Sequence, residues 1–181
     1  MKSEILIILS LLILTSCKIS LKDNDLLSYN IYKVNDTLVF KNKIGKIIKF
    51  KIISKTIINK GWDENTGLYN PQVAYIKYAV LGKLDSIYHD DSFLTIYQKS
   101  KTEIEETIYF NGFIGIISRK EQKTNDFKSS KYLEVFKVPI FDLLTVRNST
   151  DIIYIYWTDK NGIIGYDCKD GDRWRLVANP S

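Results

Sequence analysis

The sequence predicts an all-β fold, an antiparallel sandwich or barrel of about 8–11 short strands. Three observations predict it. The first is alternation: Ile48, Phe50 and Ile52 share one side of a stretch whose other side is Lys49 and Lys51, the period of a half-buried strand. The second is turn chemistry. Asn35-Asp36, Asn42 to Gly45, Asn111-Gly112, Asn161-Gly162 and Asp170-Gly171 punctuate the apolar runs, and Asn-Gly and Asp-Gly suit tight hairpins because both central residues need positive φ. The third is composition: 12 tyrosines and many isoleucines suit a pleated surface, and no convincing stretch shows apolar residues at helical three-four spacing.

The chain opens on a short polar start, Met1 to Glu4, in which Glu4 partly offsets Lys2. An apolar run from Ile5 to Leu14 follows, interrupted only by Ser10. A charged start and a short apolar run describe a secretory leader. The run is too short to cross a ~30 Å hydrocarbon core, which needs about 20 residues. Leu14-Thr15-Ser16-Cys17 resembles a bacterial lipobox: an apolar residue, two small ones and a cysteine. The resemblance implies cleavage before Cys17 and a lipid on Cys17, whose thiolate is the nucleophile that takes the diacylglycerol group. It also implies a further acyl chain on the new amino terminus. Three chains anchor firmly where one holds only marginally. The expected organisation is a leader over residues 1–16, a lipidated cysteine and flexible tether over 17–28, and one all-β domain over 29–181. Lys22-Asp23-Asn24-Asp25 is a poor match in position to an acidic surface-export signal, so the face of the membrane stays open.

Within the domain, strands are expected at residues 30–34, 37–41, 73–81, 93–98, 103–110, 113–118 and 132–138, besides the one around 48–52. Ala74, Ile76, Tyr78 and Val80 should share one side of theirs. Residues 152–157, 163–167 and 173–177 read as a three-stranded meander, and Pro139 to Ser149 as a helical turn or a crossing loop. Removing 16 residues from 181 leaves 165, the size of one domain; a chain of that order buries roughly 68–70% of its unfolded surface. There is no internal repeat and no inter-domain linker.

Few residues offer chemistry. With Cys17 lipidated, Cys168 is the only thiol left and cannot pair within the chain; a buried, inert thiol is the plain reading, a reactive one the alternative. His89-Asp90-Asp91 holds the only histidine, in an expected surface loop. A hydrolase built on carboxylates such as Asp90, Asp91, Glu105 and Glu106 would need two of them to converge about 5–10 Å apart. There is no Gly-x-Ser-x-Gly elbow. Asp63 to Gly67 and Asp167 to Asp172 contain acids and glycine, but neither has the ligand order of a calcium loop. No catalytic residue, metal ligand or cofactor site is therefore assigned. Lys41, Lys43, Lys46, Lys49, Lys51, Lys55 and Lys60 lie between Asp36 and Asp63 with no acid among them, seven charges in a chain of net +5. They read either as a solvated strand face that discourages edge pairing or as a contact for an anionic surface, with Lys46, Lys49 and Lys51 its candidate centre.

Residues 32–42 (YKVNDTLVFKN) and Gly162-Ile163-Ile164-Gly165-Tyr166, followed by Asp170-Gly171 and Trp174, resemble the opening and closing hairpins of small bacterial envelope lipoproteins of unassigned function. The resemblance implies a β-rich domain and carries over no catalytic residue. The expected function is a lipid-anchored binding or structural module of the bacterial cell envelope, at the outer membrane, whose partners are the membrane and an envelope protein or glycan. The compartment excludes nucleic acid. The alternatives are a lipocalin-like carrier of a small apolar ligand and the carboxylate hydrolase.

Overall fold

Alternation in the sequence becomes sheet in the structure, a computed structural model that describes residues 20–63, 68–69, 71–81, 92–100, 102–110, 113–119, 122–124, 134–140 and 151–178. The strands β1 (Thr37–Lys41) and β2 (Ile47–Asn59) form the first hairpin. A small two-stranded sheet, β3 (Trp62–Asp63) with β4 (Leu68–Tyr69), interrupts the connection to β5 (Gln72–Leu81). The meander continues through β6 (Ser92–Gln98), β7 (Ile104–Phe110) and β8 (Phe113–Ile116). A second meander runs through β9 (Lys123–Thr124), β10 (Val135–Pro139), β11 (Ile152–Thr158), β12 (Gly162–Cys168) and β13 (Arg173–Ala178). β13 then pairs with β1. The result is one 11-stranded antiparallel sheet, ordered β8-β7-β6-β5-β2-β1-β13-β12-β11-β10-β9, curled into a half-barrel.

The fold class is all-β as expected, and the open choice between sandwich and barrel falls to a single curling sheet. Gly45, Gly162 and Gly171 all adopt positive φ at the expected turns. Asn111-Gly112 lies outside the described residues, although β7 and β8 pair as a hairpin. At the seam where the sheet edges approach, a Cβ on Gly115 of β8 would sit 2.8 Å from Val138 Cγ1 and 3.2 Å from the Pro139 carbonyl of β10. Only glycine lets these strands come so close.

Two sequence expectations need correction. Residues 30–34 do not form a strand, and the tether expected through Ser28 is not loose chain. Leu21 is buried, and its N–H donates to Gln72 Oε1 at 2.9 Å. A 3₁₀ turn (Asp23–Leu26) leads into a single helical turn, α1 (Leu27–Asn30). Ser28 is fully buried. Folded structure thus begins by Leu21, because Leu21, Leu26, Tyr29 and Ile31 pack on the concave core. A single turn is too short to show helical periodicity.

Aromatic side chains fill the concave side. Phe110 meets Phe50 at 4.6 Å, Tyr166 at 5.2 Å and Phe40 at 5.9 Å between ring centroids. Such offset and edge-on pairs contribute about 0.5–1.5 kcal/mol each beyond burial. Tyr32 closes one end of this core, its ring edge-on to Phe93 at 5.1 Å and its hydroxyl accepting the Ile163 N–H at 2.8 Å. A Cβ on Gly162 would lie 1.8 Å from that hydroxyl, at a backbone φ of +68°. The glycine predicted for the turn is therefore also the floor on which Tyr32 rests.

Candidate functional site

β2 carries the lysine run, and its register decides which lysines act together. Lys49 pairs with Val39 of β1 and Leu81 of β5, and Lys51 pairs with Thr37 and Ala79. Phe50 and Ile52 point into the core, so Lys49 and Lys51 point out through the convex face. Lys41 of β1 is exposed on the same face, opposite Arg175 of β13. Lys43 and Lys46 are exposed in the β1–β2 turn, where the Lys46 N–H is held by Asn42 Oδ1 at 2.8 Å. Lys55 breaks the series. A bulge between Ile52 and Ser54 shifts the register by one, and a one-residue shift sends a side chain to the other face. Lys55 accordingly turns toward the N-terminal segment that plugs this end of the sheet, donating to the Tyr32 carbonyl at 2.6 Å and lying 4.0 Å over the Tyr29 ring. Burial lowers its pKa, with Asp36 acting in the opposite direction.

Two properties of the convex face were not visible in the sequence. β2 is central, flanked by β1 and β5, so edge protection does not explain its lysines. None of β1, β2, β5 or β6 contains an acidic residue, and aliphatic side chains lie among the cations: Ile47 is 54% exposed, Leu81 45%, and Ile44 at the hairpin tip 87%. Among the described residues, Asp172 and Asp167 lie beside the face. Asp172 receives the Asn42 side-chain amide at 3.0 Å, and Asp167 is paired with Arg175 at 2.8 Å.

The plugged end has a different character. Glu106 faces the concave side and is 8% exposed. Arg119 grips it with Nη1 at 2.6 Å and Nη2 at 3.2 Å, reaches Ser28 Oγ at 2.8 Å, and places Nε 2.8 Å from Asp159. The Ser28 hydroxyl donates to Glu106 Oε2. Burial disfavours the guanidinium charge, but Glu106 and Asp159 outweigh it and raise the Arg119 pKa. Every charge here has a partner, so the cluster fastens α1 to the sheet. Nothing in the sequence linked Ser28, Glu106, Arg119 and Asp159.

Glu105 and Glu106 are neighbours on β7 and face opposite sides: Glu105 lies by Lys99 at 3.5 Å, Glu106 by Arg119. These two carboxylates do not converge. Cys17 and His89-Asp90-Asp91 lie outside the described residues, as do residues 64–67. Asp167 and Cys168 end β12, and the residues from there to Asp172 form an ordinary turn, with the Asp172 N–H bonded to Asp170 Oδ1 at 2.9 Å. Cys168 is buried, and burial, reinforced by Asp170, Asp172, Asp167 and Asp151, pushes its thiol up to about 12. That is the opposite of the depressed pKa a nucleophilic cysteine needs. Among the described residues no group of three or more His, Cys, Asp or Glu side chains could hold a metal, and no helix is long and apolar enough to cross a membrane. A cleft of about 320 Å³ opens at the seam, with Phe113, Ile140, Ile152, Tyr154, Asp151 and Lys169 in its lining.

No family model matches this chain, no curated protein matches it, and no solved structure matches it.

Proposed function

We propose that this protein is a lipid-anchored binding module of the bacterial cell envelope, held at the outer membrane through Cys17. The observation that carries the reading is the run from Ile5 to Leu14 ending in Leu14-Thr15-Ser16-Cys17. Leu21, four residues later, is packed into the domain. A chain of four residues spans at most ~14 Å, so lipid on Cys17 would hold the domain directly against the bilayer. The β-domain offers a broad, exposed, cationic surface, which supports a binding role. The test is Cys17→Ala expressed from the native leader in bacterial cells. The variant should stay uncut and take up no labelled palmitate; palmitate entering the variant would overturn the reading.

A carrier of a small apolar ligand is the second reading. The seam cleft favours it, since its volume is near the lower end for small-molecule sites, about 300 Å³. The concave interior does not, because packed rings occupy it. Ile152→Trp should abolish binding of an environment-sensitive apolar dye if the cleft is such a site.

A further inference from the structure

We infer that the anchored domain lies with the convex face of β1, β2 and β5 against an anionic phospholipid surface, with the tip of the β1–β2 hairpin dipping into the headgroups. This rests on the proposed anchor at Cys17 and says how the domain sits on that membrane.

The N-terminal segment docks at Gln72, whose strand partner is Asn59 at the end of β2. From Asn59 back to Ile47 the strand covers 13 residues, or ~40 Å at ~3.3 Å per residue. A domain standing on its plugged end would hold Lys46 and Lys49 tens of ångströms from the anchoring membrane. That is well beyond a Debye length of ~10 Å at 0.1 M salt. A domain lying along β2 brings the whole face to the bilayer, from the anchor to the hairpin.

The face fits that occupant. Lys41, Lys43, Lys46 and Lys49 are exposed, and the four strands β1, β2, β5 and β6 contribute no carboxylate. Solubility alone asks for mixed charge. Ile44 and Ile47 stand among these cations, 87% and 54% exposed. Cations flanking exposed aliphatics match phosphates above acyl chains. An acidic glycan offers nothing apolar for Ile44 to bury against, so lipid is favoured over glycan.

The test uses the chain expressed from its own leader, with a polarity-sensitive fluorophore on Ile44→Cys. The protein is incorporated into phosphatidylcholine vesicles and, separately, into phosphatidylglycerol-rich vesicles. The fluorophore should shift to the blue in the anionic vesicles at ~0.01 M salt, where the Debye length is ~30 Å, and return to its aqueous emission at ~1 M, where it is ~3 Å. Each lysine near the surface strengthens binding about five-fold. Lys46→Gln, Lys49→Gln and Lys51→Gln combined should therefore weaken the docked state by about 100-fold, with an unchanged far-ultraviolet dichroism spectrum. A fluorophore that stays aqueous on anionic vesicles that retain the protein overturns the inference and leaves the anchor intact. A protein that fails to float with neutral vesicles, yet floats with anionic ones, overturns the anchor and leaves the lipid-binding face intact. A blue shift only on adding an acidic polysaccharide or an envelope extract would move the site to another partner and sink the lipid assignment.

Discussion

The plugged end and the convex face both carry charged side chains and use them in opposite ways. At the plug, Glu106, Arg119, Ser28 and Asp159 satisfy one another within hydrogen-bond distance, and Tyr32 caps the β11–β12 turn through the Ile163 N–H. On the convex face, cations stand on adjacent strands with no acid between them. A buried charge without a partner costs several kcal/mol, so groups at the plug must be matched and contribute to folding. An exposed lysine costs almost nothing to leave unmatched, so the convex face can be matched by something outside the molecule. The position of polar groups, more than their number, separates what holds this fold from what the fold presents.

Substitutions can break that contrast, beginning where the largest effect is expected. Gly162→Val combines an unfavourable left-handed backbone, which costs about 1–2 kcal/mol, with a collision against Tyr32 Oη that costs about 1–3 kcal/mol more. It should lower the urea midpoint more than any other change here, and near-native stability would show that Tyr32 is not seated on the turn. Glu106→Ala strands the Arg119 guanidinium. Breaking a fully buried pair costs about 3–5 kcal/mol, and because Arg119 is 32% exposed about 2–3 kcal/mol is expected. Measured equilibrium unfolding of Glu106→Ala and Arg119→Ala, alone and together, should show strong coupling; additive losses would dissolve the proposed fastening of α1.

Smaller effects sharpen the comparison. Tyr32→Phe keeps the ring and leaves the Ile163 N–H without its acceptor, for a loss of about 1–2 kcal/mol by chemical denaturation. Cys168 tests burial through pH. Its folded thiol pKa lies above the unfolded value of 9.0, at about 12. The unfolded chain thus releases its proton first, and stability should fall as pH rises from 9 toward 12, by at most about 1.4 kcal/mol per pH unit. Tyr32 and Tyr166, also raised by burial, add slope of the same sign near pH 10. The informative quantity is the difference from Cys168→Ala between pH 9 and 10, where the variant's curve should be flatter; identical slopes would mean the thiol titrates normally. Least of all, Lys46→Gln and Lys49→Gln should each change stability by under about 0.5 kcal/mol. A larger loss would make these lysines structural and erase the difference between the two regions.

Much of the sheet was legible from local pattern. The alternation around Ile48 to Ile52, the run from Val73 to Leu81 and the meander from Ile152 to Val177 all appear as read, because period two and turn chemistry act over a few residues. The chemistry of the short N-terminal segment was harder to read. Leu21 and Tyr29 look like scattered apolar residues in polar chain, and only the concave surface they pack against gives them a role.

By itself, the sequence determined most of the long strands, the turns at Gly45, Gly162 and Gly171 and the lysine-rich stretch. Tertiary structure alone decided that β2 lies in the middle of the sheet, that the bulge after Ile52 takes Lys55 out of the basic face, and that Glu106 meets Arg119 and Ser28. The physical reason is range. Alternation and turn conformation depend on neighbours along the chain, whereas strand order, register shifts and buried polar matching depend on which distant segments fill the same space once the sheet has curled.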